Sequence, residues 1–407
     1  MDAGRLQFAA DLAAKVGRIT GHVAWERVRP PTLRSASDVP RTPDDVTADW
    51  LTQCLCAAHP GAAVTGIEMF GGTSGTSTRR RLRVTYNAAG REAGLPEHLY
   101  VKTTTSLTQR LMLGLTEIIH VEGLVYDRVL PLLDDLEVPH GYYYGFEPRS
   151  WRTVVVTEDV GVTRGAQFFS PQTPLTLEQM KDLLTSMATW HGRLWNHPVL
   201  EGGWLQTTAE RYENLRRFLD WGKRSAVGYR RAGDVVAPSV RDRAVEVFEA
   251  FEGSMRLGSD GPMTFLHGDP HSAGNFYLTG DGQMGWADWG VCLRGSWGYD
   301  YAYAVTSSLP VDRRREWEKE LLEHYLEQLA LAGGEAPDFD DAWLIYRQQA
   351  LYPCVGWSAV YGHGPFQPDS QPPEYCLPII ERASHAVQDL DSVGAVLTSQ
   401  PNAVRST

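Results

Sequence analysis

The stretch His267-Gly268-Asp269-Pro270-His271-Ser272-Ala273-Gly274-Asn275, followed by Asp288-Trp289-Gly290, decides the reading of this chain. It sets one Asp ahead of an Asn, then an apolar-rich segment (Phe276 to Leu278, Met284 to Ala287), then a second Asp before a Gly. Phosphoryl transfer from a nucleotide requires that order of residue types. One carboxylate, Asp269, accepts the proton of a substrate hydroxyl, while an amide oxygen, Asn275, and a second carboxylate, Asp288, hold Mg²⁺ on the phosphates. The residues between read as two short strands joined by Thr279-Gly280-Asp281-Gly282, a Gly/Asp hairpin signal that would carry Asn275 and Asp288 to the same end.

His267, Asp269 and His271 alternate, and on an extended strand they would offer three ligands to a zinc ion. Against a zinc hydrolase, no second His/Asp cluster with clear ligand spacing accompanies them. His271 reads instead as a loop-packing or phosphate-neighbouring residue. Asp300, in Gly298-Tyr299-Asp300-Tyr301-Ala302, reads as a cap or a brace for the loop.

Upstream, Lys102 ends the strand-like Leu99-Tyr100-Val101. A Lys there reaches nucleotide phosphates if an acid on the next helix holds it, and Glu122 and Glu117 are the candidates. The turn Gly71-Gly72-Thr73-Ser74-Gly75-Thr76-Ser77, with Ser74 and Gly75 at its centre, can close over phosphates through backbone N–H groups. It lacks the Gly-Lys-Ser/Thr of a Walker loop. Of Arg79, Arg80, Arg81 and Arg83, one could contact phosphate, although such a run is usually a solvated strand edge. Thr153 to Thr157 is a β-branched run and reads as a buried strand. Glu158-Asp159-Val160 follows it as a hinge whose backbone could bond an adenine edge, leaving the side chains free. The lobe boundary is placed just after Val160.

The remaining pattern is coarse. Helical spacing covers 5–16, and a Pro- and Ser-rich connection covers 29–43. A capped helix runs from Thr42 through Ala58, and another helical pattern covers 116–133. From Leu175 onward the chain is mostly helical apart from the 264–290 region. The aromatics Tyr352, Trp357, Tyr361, Phe366 and Tyr375 read as core more than pocket.

At 407 residues the chain is long enough for two lobes, and its net charge of −12 disfavours nucleic acid or an anionic membrane as the main partner. Five scattered cysteines without a C-x-x-C pair point to reduced thiols and a cytoplasmic location. No apolar run approaches a membrane span, and the early acids Asp2 and Asp11 argue against a secretory leader.

With those residues in place, the chain resembles the aminoglycoside phosphotransferase superfamily, and within it the ecdysteroid kinase-like and choline kinase-like branch. Val155 to Val160, Glu122 with Val125-Tyr126, and Met187 to Trp195 followed by Trp204-Leu205 carry the resemblance beyond the central motif, over roughly residues 42–385. It implies an α+β, two-lobed protein-kinase-like fold with a small antiparallel-sheet N-lobe and a larger, mainly helical C-lobe. The expected boundaries are an N-terminal extension at 1–41, the N-lobe at 42–160 and the C-lobe at 161–407. It implies Asp269 as base, Asn275 and Asp288 as Mg²⁺ ligands, Lys102 as phosphate lysine paired with Glu122, and Glu158 to Val160 as nucleotide hinge. The expected activity is transfer of the γ-phosphate of ATP to a hydroxyl of a small organic molecule by a monomer or homodimer. The family usually places its Asn five residues after the Asp, whereas Asn275 lies six after Asp269. That departure supplies the alternative, a nucleotide-binding pseudokinase with a regulatory role.

Overall fold

The computed structural model describes residues 3–364 and 371–399, so Phe366 lies outside the described residues. Two compact units divide the chain: residues 1–127 with 139–166, and residues 128–138 with 167–407. The fold is α+β, with one antiparallel five-stranded sheet in the first unit and mainly helices in the second.

The first unit contains α1 (Ala3–Val28), α2 (Ala48–Leu55), β1 (Val64–Ser74), β2 (Thr78–Tyr86), α3 (Ala88–Glu92), β3 (His98–Thr103), α4 (Leu107–Leu115), α5 (Val121–Arg128), β4 (Gly141–Glu147), β5 (Arg152–Glu158) and the short α6 (Val160–Thr163). Sheet order is β1-β2-β3-β5-β4, every neighbour antiparallel. The β-branched run makes β5 an inner strand, buried along almost its whole length. Leu82, Val84, Leu99, Val101, Val154 and Val156 share one apolar core with Trp50 and Leu51 of α2. Thr47 caps α2 by accepting the Trp50 amide.

Three helical readings change. The helix read from Thr42 through Ala58 is a single turn at Pro43–Asp45 followed by α2, which Thr47 caps. The first helix continues to Val28 instead of ending at residue 16. There Ile19 and Val23 pack beside Leu107, Leu111 and Trp151, and Glu26 is buried among arginines. Arg110, fully buried on α4, donates to both oxygens of Glu26 at 3.1 and 2.8 Å, and Arg152 adds a third bond at 2.6 Å. The pattern read over 116–133 is shorter: within it α5 covers only Val121–Arg128 and starts after Glu117, whose left-handed backbone (φ 61°) an α-helix cannot continue through.

The second unit contains β6 (Gln167–Phe168), α7 (Leu177–Arg193), α8 (Thr208–Leu219), α9 (Trp221–Ala232), α10 (Pro238–Asp242), α11 (Ala244–Leu257), β7 (Thr264–Leu266), β8 (Phe276–Leu278), β9 (Met284–Trp286), β10 (Leu293–Gly295), α12 (Gly298–Ser308), α13 (Val311–Leu331), α14 (Phe339–Gln349), α15 (Leu351–Tyr361), α16 (Pro373–Asp389) and α17 (Ser392–Ser399). Two small antiparallel pieces, β7 with β10 and β6-β8-β9, frame the segment from 264 to 295. Tyr299, Tyr303, Leu351, Val355, Trp357, Ile379 and Ala383 fill the core shared by α12, α15 and α16. Trp357 is therefore core, as the aromatic-rich tail suggested. Among the described residues no helix is long and apolar enough to cross a membrane.

Candidate active site

Asp269 sits in the loop that leaves β7. Gly268 takes φ +84° there, and a Cβ on it would stand 2.4 Å from the Val291 carbonyl oxygen and 2.6 Å from Leu293 Cδ2. Only glycine meets both demands, the left-handed backbone and the close approach. The loop is then held from behind by Asp300 on α12. Its carboxylate, wholly buried, accepts the amides of His267 at 2.6 Å and Gly268 at 3.0 Å. Asp300 is thus the brace that its place before a helical run suggested. His191 lies 3.4 Å from the same carboxylate and shares a 2.6 Å hydrogen bond with the Tyr325 hydroxyl through its other nitrogen.

His267 joins the loop to the second acidic signature. Its Nε2–H donates to the Ala287 carbonyl at 3.1 Å, and its Nδ1 accepts the Asp269 amide at 3.3 Å. Burial pushes its imidazole below the ordinary histidine range, which keeps it neutral in that role. Both ring nitrogens serve the backbone, so His267 has none for zinc. Among the described residues, no group of three or more His, Cys, Asp or Glu side chains is arranged to hold a metal ion.

The expected hairpin is present. Phe276 pairs with Trp286, and the Ala287 amide donates to the Asn275 carbonyl at 3.0 Å, which brings Asn275 and Asp288 to one end. Its turn closes through the Gly282 amide on the Thr279 carbonyl. Asp288 adopts a left-handed backbone, φ 65°. The extra residue between Asp269 and Asn275 is taken up in a turn over Ser272 to Gly274. Gly274 has φ +96°, and the Ala273 amide donates to His271 Nδ1 at 3.1 Å. Asn275 still reaches back, its Nδ2 donating to the Asp269 carbonyl at 2.7 Å. With the amide nitrogen committed, the amide oxygen is the atom left to face a cation. One amide oxygen and one carboxylate form an all-oxygen donor set of the kind Mg²⁺ takes when phosphates and waters complete its octahedron. The residues present therefore fit that ion.

Three side chains surround the Asp269 carboxylate, which is 35% exposed. The Tyr303 hydroxyl donates to Oδ1 at 2.6 Å, His271 Nε2 lies 3.1 Å from Oδ2, and Asn275 Nδ2 lies 3.5 Å from Oδ2. Burial acts to raise this carboxyl, but His271 and the Tyr303 hydroxyl outweigh it and hold it below the usual carboxylate range. Tyr303 was not among the sequence candidates. It lies 34 positions from Asp269, inside a helix read only for its Asp300. No local spacing announces such a contact.

In the first unit, Lys102 Nζ meets Glu122 at 2.7 Å, each side chain 15% exposed, whereas Glu117 is exposed on its turn. The two candidate acids are thereby distinguished. The β1–β2 tip is shaped from within: the Gly75 amide donates to the Ser77 carbonyl at 3.0 Å, and Gln109 on α4 donates to the Gly75 carbonyl at 2.8 Å. Ser74 and Thr78 face each other at the tip, hydroxyls 3.5 Å apart. At the hinge the side chains are engaged, contrary to the expectation that they are free. Arg164 pairs with Glu158, and Arg81 grips Asp159 with two bonds at 2.6 and 3.0 Å. Burial opposes ionisation of Glu158, yet Arg164, Thr163 and the His140 amide hold its carboxyl below the ordinary value. The Val160 carbonyl accepts the Arg164 and Ala166 amides, so the role left to Val160 at an adenine edge is that of a donor. Arg80 pairs with Asp44, so neither Arg80 nor Arg81 is the idle strand-edge charge that the run suggested.

No curated protein matches this chain. Among solved structures it is similar to choline kinase from Streptococcus pneumoniae (16% identity, TM-score 0.46, covering 81% of this chain and 94% of that one). It is similar also to a microcompartment-associated aminopropanol kinase (16%, 0.47, 83% and 97%) and to a spectinomycin phosphotransferase solved with ADP and spectinomycin (12%, 0.42, 88% and 95%). Residues 205–339 match the Phosphotransferase enzyme family. That match contains Asp269, Asn275, Asp288, Asp300 and Tyr303, and it supports the resemblance to the aminoglycoside phosphotransferase superfamily. Residues 205–339, which carry the Asp269 loop, are thus similar to the Phosphotransferase enzyme family.

Proposed function

We propose that this protein is an ATP- and Mg²⁺-dependent phosphotransferase whose acceptor is a hydroxyl group of a small organic molecule. The observation that carries the reading is the joining of Asp269, Asn275 and Asp288 by one loop and one hairpin, with the Asn275 side chain on the Asp269 backbone despite the longer spacing. The non-catalytic alternative drew on that spacing. A turn that absorbs the extra residue and leaves Asn275 in contact with Asp269 favours the catalytic reading.

In the reaction, the acceptor oxygen forms a new bond to the γ-phosphorus while the bond from that phosphorus to the leaving diphosphate oxygen breaks. The acceptor's proton passes late in the transfer to the Asp269 carboxylate. Bound Mg²⁺ would neutralise charge on the phosphate oxygens, with Asn275 and Asp288 as its protein ligands. Lys102, oriented by Glu122, is assigned to the nucleotide phosphates. Ser74 and Gly75 are assigned to the phosphate-covering turn, and Glu158 and Val160 to the adenine edge. A cytoplasmic location fits a chain whose five cysteines are all free thiols and whose co-substrate is ATP.

The test is a nucleotide-consumption screen over hydroxylated metabolites and antibiotics, with Asp269→Asn as the blank. Mg²⁺-dependent turnover stimulated by at least one compound is expected. Asp269→Asn should lose about 10²- to 10⁴-fold of it, the usual contribution of a general base. If no compound raises consumption above the blank, the reading fails.

A further inference from the structure

We propose that Tyr303 and Trp357 are positioning residues for Asp269, acting in series: the indole orients the phenol, and the phenol fixes the carboxylate. This rests on Asp269 being the base of the proposed reaction. The argument is one of donor polarity. An indole N–H can only donate, and Trp357 Nε1 stands 2.8 Å from the Tyr303 hydroxyl oxygen. It occupies the accepting side of that hydroxyl, so the phenolic hydrogen is directed to Asp269 Oδ1 at 2.6 Å.

The second oxygen is held by the same logic. His271 Nδ1 accepts the Ala273 amide, which puts the ring hydrogen on Nε2, 3.1 Å from Asp269 Oδ2. The His271 ring also stands edge-on to Trp357, centroids 5.0 Å apart at 78°, so one indole supports both holders. Tyr303 and Trp357 are 3% and 4% exposed on α12 and α15, whereas the Asp269 side chain is 35% exposed. The carboxylate is thus anchored from packed helices and open on its other side. Held at both oxygens it cannot swing about χ2, and its remaining lone pairs keep one direction toward an incoming hydroxyl. Misplacing a reacting group by about 1 Å can cost about 10²-fold in rate.

The test uses the full-length protein and three variants: Tyr303→Phe, which removes only the hydroxyl, Trp357→Phe, and the double. Tyr303→Phe should lower acceptor-stimulated kcat by about 10- to 100-fold with nucleotide Kd unchanged, and Trp357→Phe should lower it less. The double variant should be no slower than Tyr303→Phe, because the indole N–H acts through the hydroxyl and Phe keeps an aromatic ring beside His271. Wild-type kcat in Tyr303→Phe, or losses that multiply in the double, would overturn the proposal. A second readout needs no turnover. The Trp357 indole proton, shifted downfield by its hydrogen bond, should move upfield in Tyr303→Phe, and an unmoved resonance overturns the series. If wild-type turnover never exceeds the Asp269→Asn blank while the indole resonance behaves as stated, the phosphotransfer reading falls and the hold on Asp269 stands.

Discussion

Replacing Asp300 with Asn tests how the Asp269 loop is held. The carboxylate is wholly buried and accepts two backbone amides, from His267 at 2.6 Å and Gly268 at 3.0 Å. Asn keeps the shape but has one oxygen, so its NH₂ must face one of the two N–H groups. Bonds to a charged acceptor contribute about 1.5–3 kcal/mol each and neutral ones about 0.5–1.5, while an unmet buried donor costs about 1–3. Asp300→Asn turns two charged bonds into one neutral bond and one unmet donor. Release of the buried charge returns part of that loss, which leaves a net destabilisation of about 3 kcal/mol. Urea unfolding followed by tryptophan fluorescence suits the measurement, since Trp286 and Trp289 lie 5.5 and 4.7 Å from the His267 ring. With a slope of about 3 kcal/mol per molar, the midpoint should fall by about 1 M. A fall under about 0.2 M at unchanged slope would mean that the two amides are satisfied without the carboxylate, and the bracing argument would be wrong.

Gly268→Ala should destabilise the second unit by more than the ~1–2 kcal/mol of a left-handed alanine, because its Cβ would meet the Val291 carbonyl oxygen at 2.4 Å. A wild-type melting temperature would contradict this. Lys102→Met should weaken nucleotide binding at least about tenfold, or ~1.4 kcal/mol, with little change in melting temperature; unchanged affinity in a calorimetric titration refutes the assignment. Glu26→Gln leaves Arg110 buried without its anion and should cost about 3–5 kcal/mol in urea unfolding. Although burial acts to raise it, Arg110 and Arg152 hold the folded Glu26 carboxyl below its ordinary 4.5. Its stabilisation is therefore complete above that value and is lost as pH falls through the lower folded value. The wild-type urea midpoint should drop on acidification below pH 4.5, and Glu26→Gln should drop less; parallel curves for the two proteins would show otherwise.

What the sequence reveals is what is local. The hairpin was readable because its strands and Gly/Asp turn lie within a dozen residues, and Lys102 because it ends a short apolar strand. The choice between Glu122 and Glu117 was not, since it turns on a left-handed backbone at Glu117 that spacing does not encode. The six-residue interval before Asn275 looked like a defect. Only the backbone shows it absorbed, through Gly274 at φ +96° and a histidine nitrogen that accepts the Ala273 amide. The hinge side chains looked free because Arg81, which grips Asp159, lies 78 positions away on another strand. Tyr303 and Trp357 stayed hidden for the same reason: tertiary packing brings them together across 54 positions, and nothing in either neighbourhood marks them.

The ion cluster at Glu26 bears on the order in which this protein can be made. Glu26 is synthesised ahead of its partners, which follow 84 and 126 positions later. At ~5–20 residues per second, Arg152 appears about 6 to 25 s after the carboxylate it must meet. Until Leu107 and Arg110 have been made, about 4 to 17 s after Glu26, the first helix carries an acid that has no buried counterpart, and its Ile19 and Val23 lack the residues that later cover them. The first unit also includes residues 139–166, which follow a segment belonging to the second unit. Its completion must wait for chain that lies beyond that segment. A nascent chain stalled before Leu107 would thus expose the Ile19 and Val23 face of this helix, the kind of surface that holding chaperones bind.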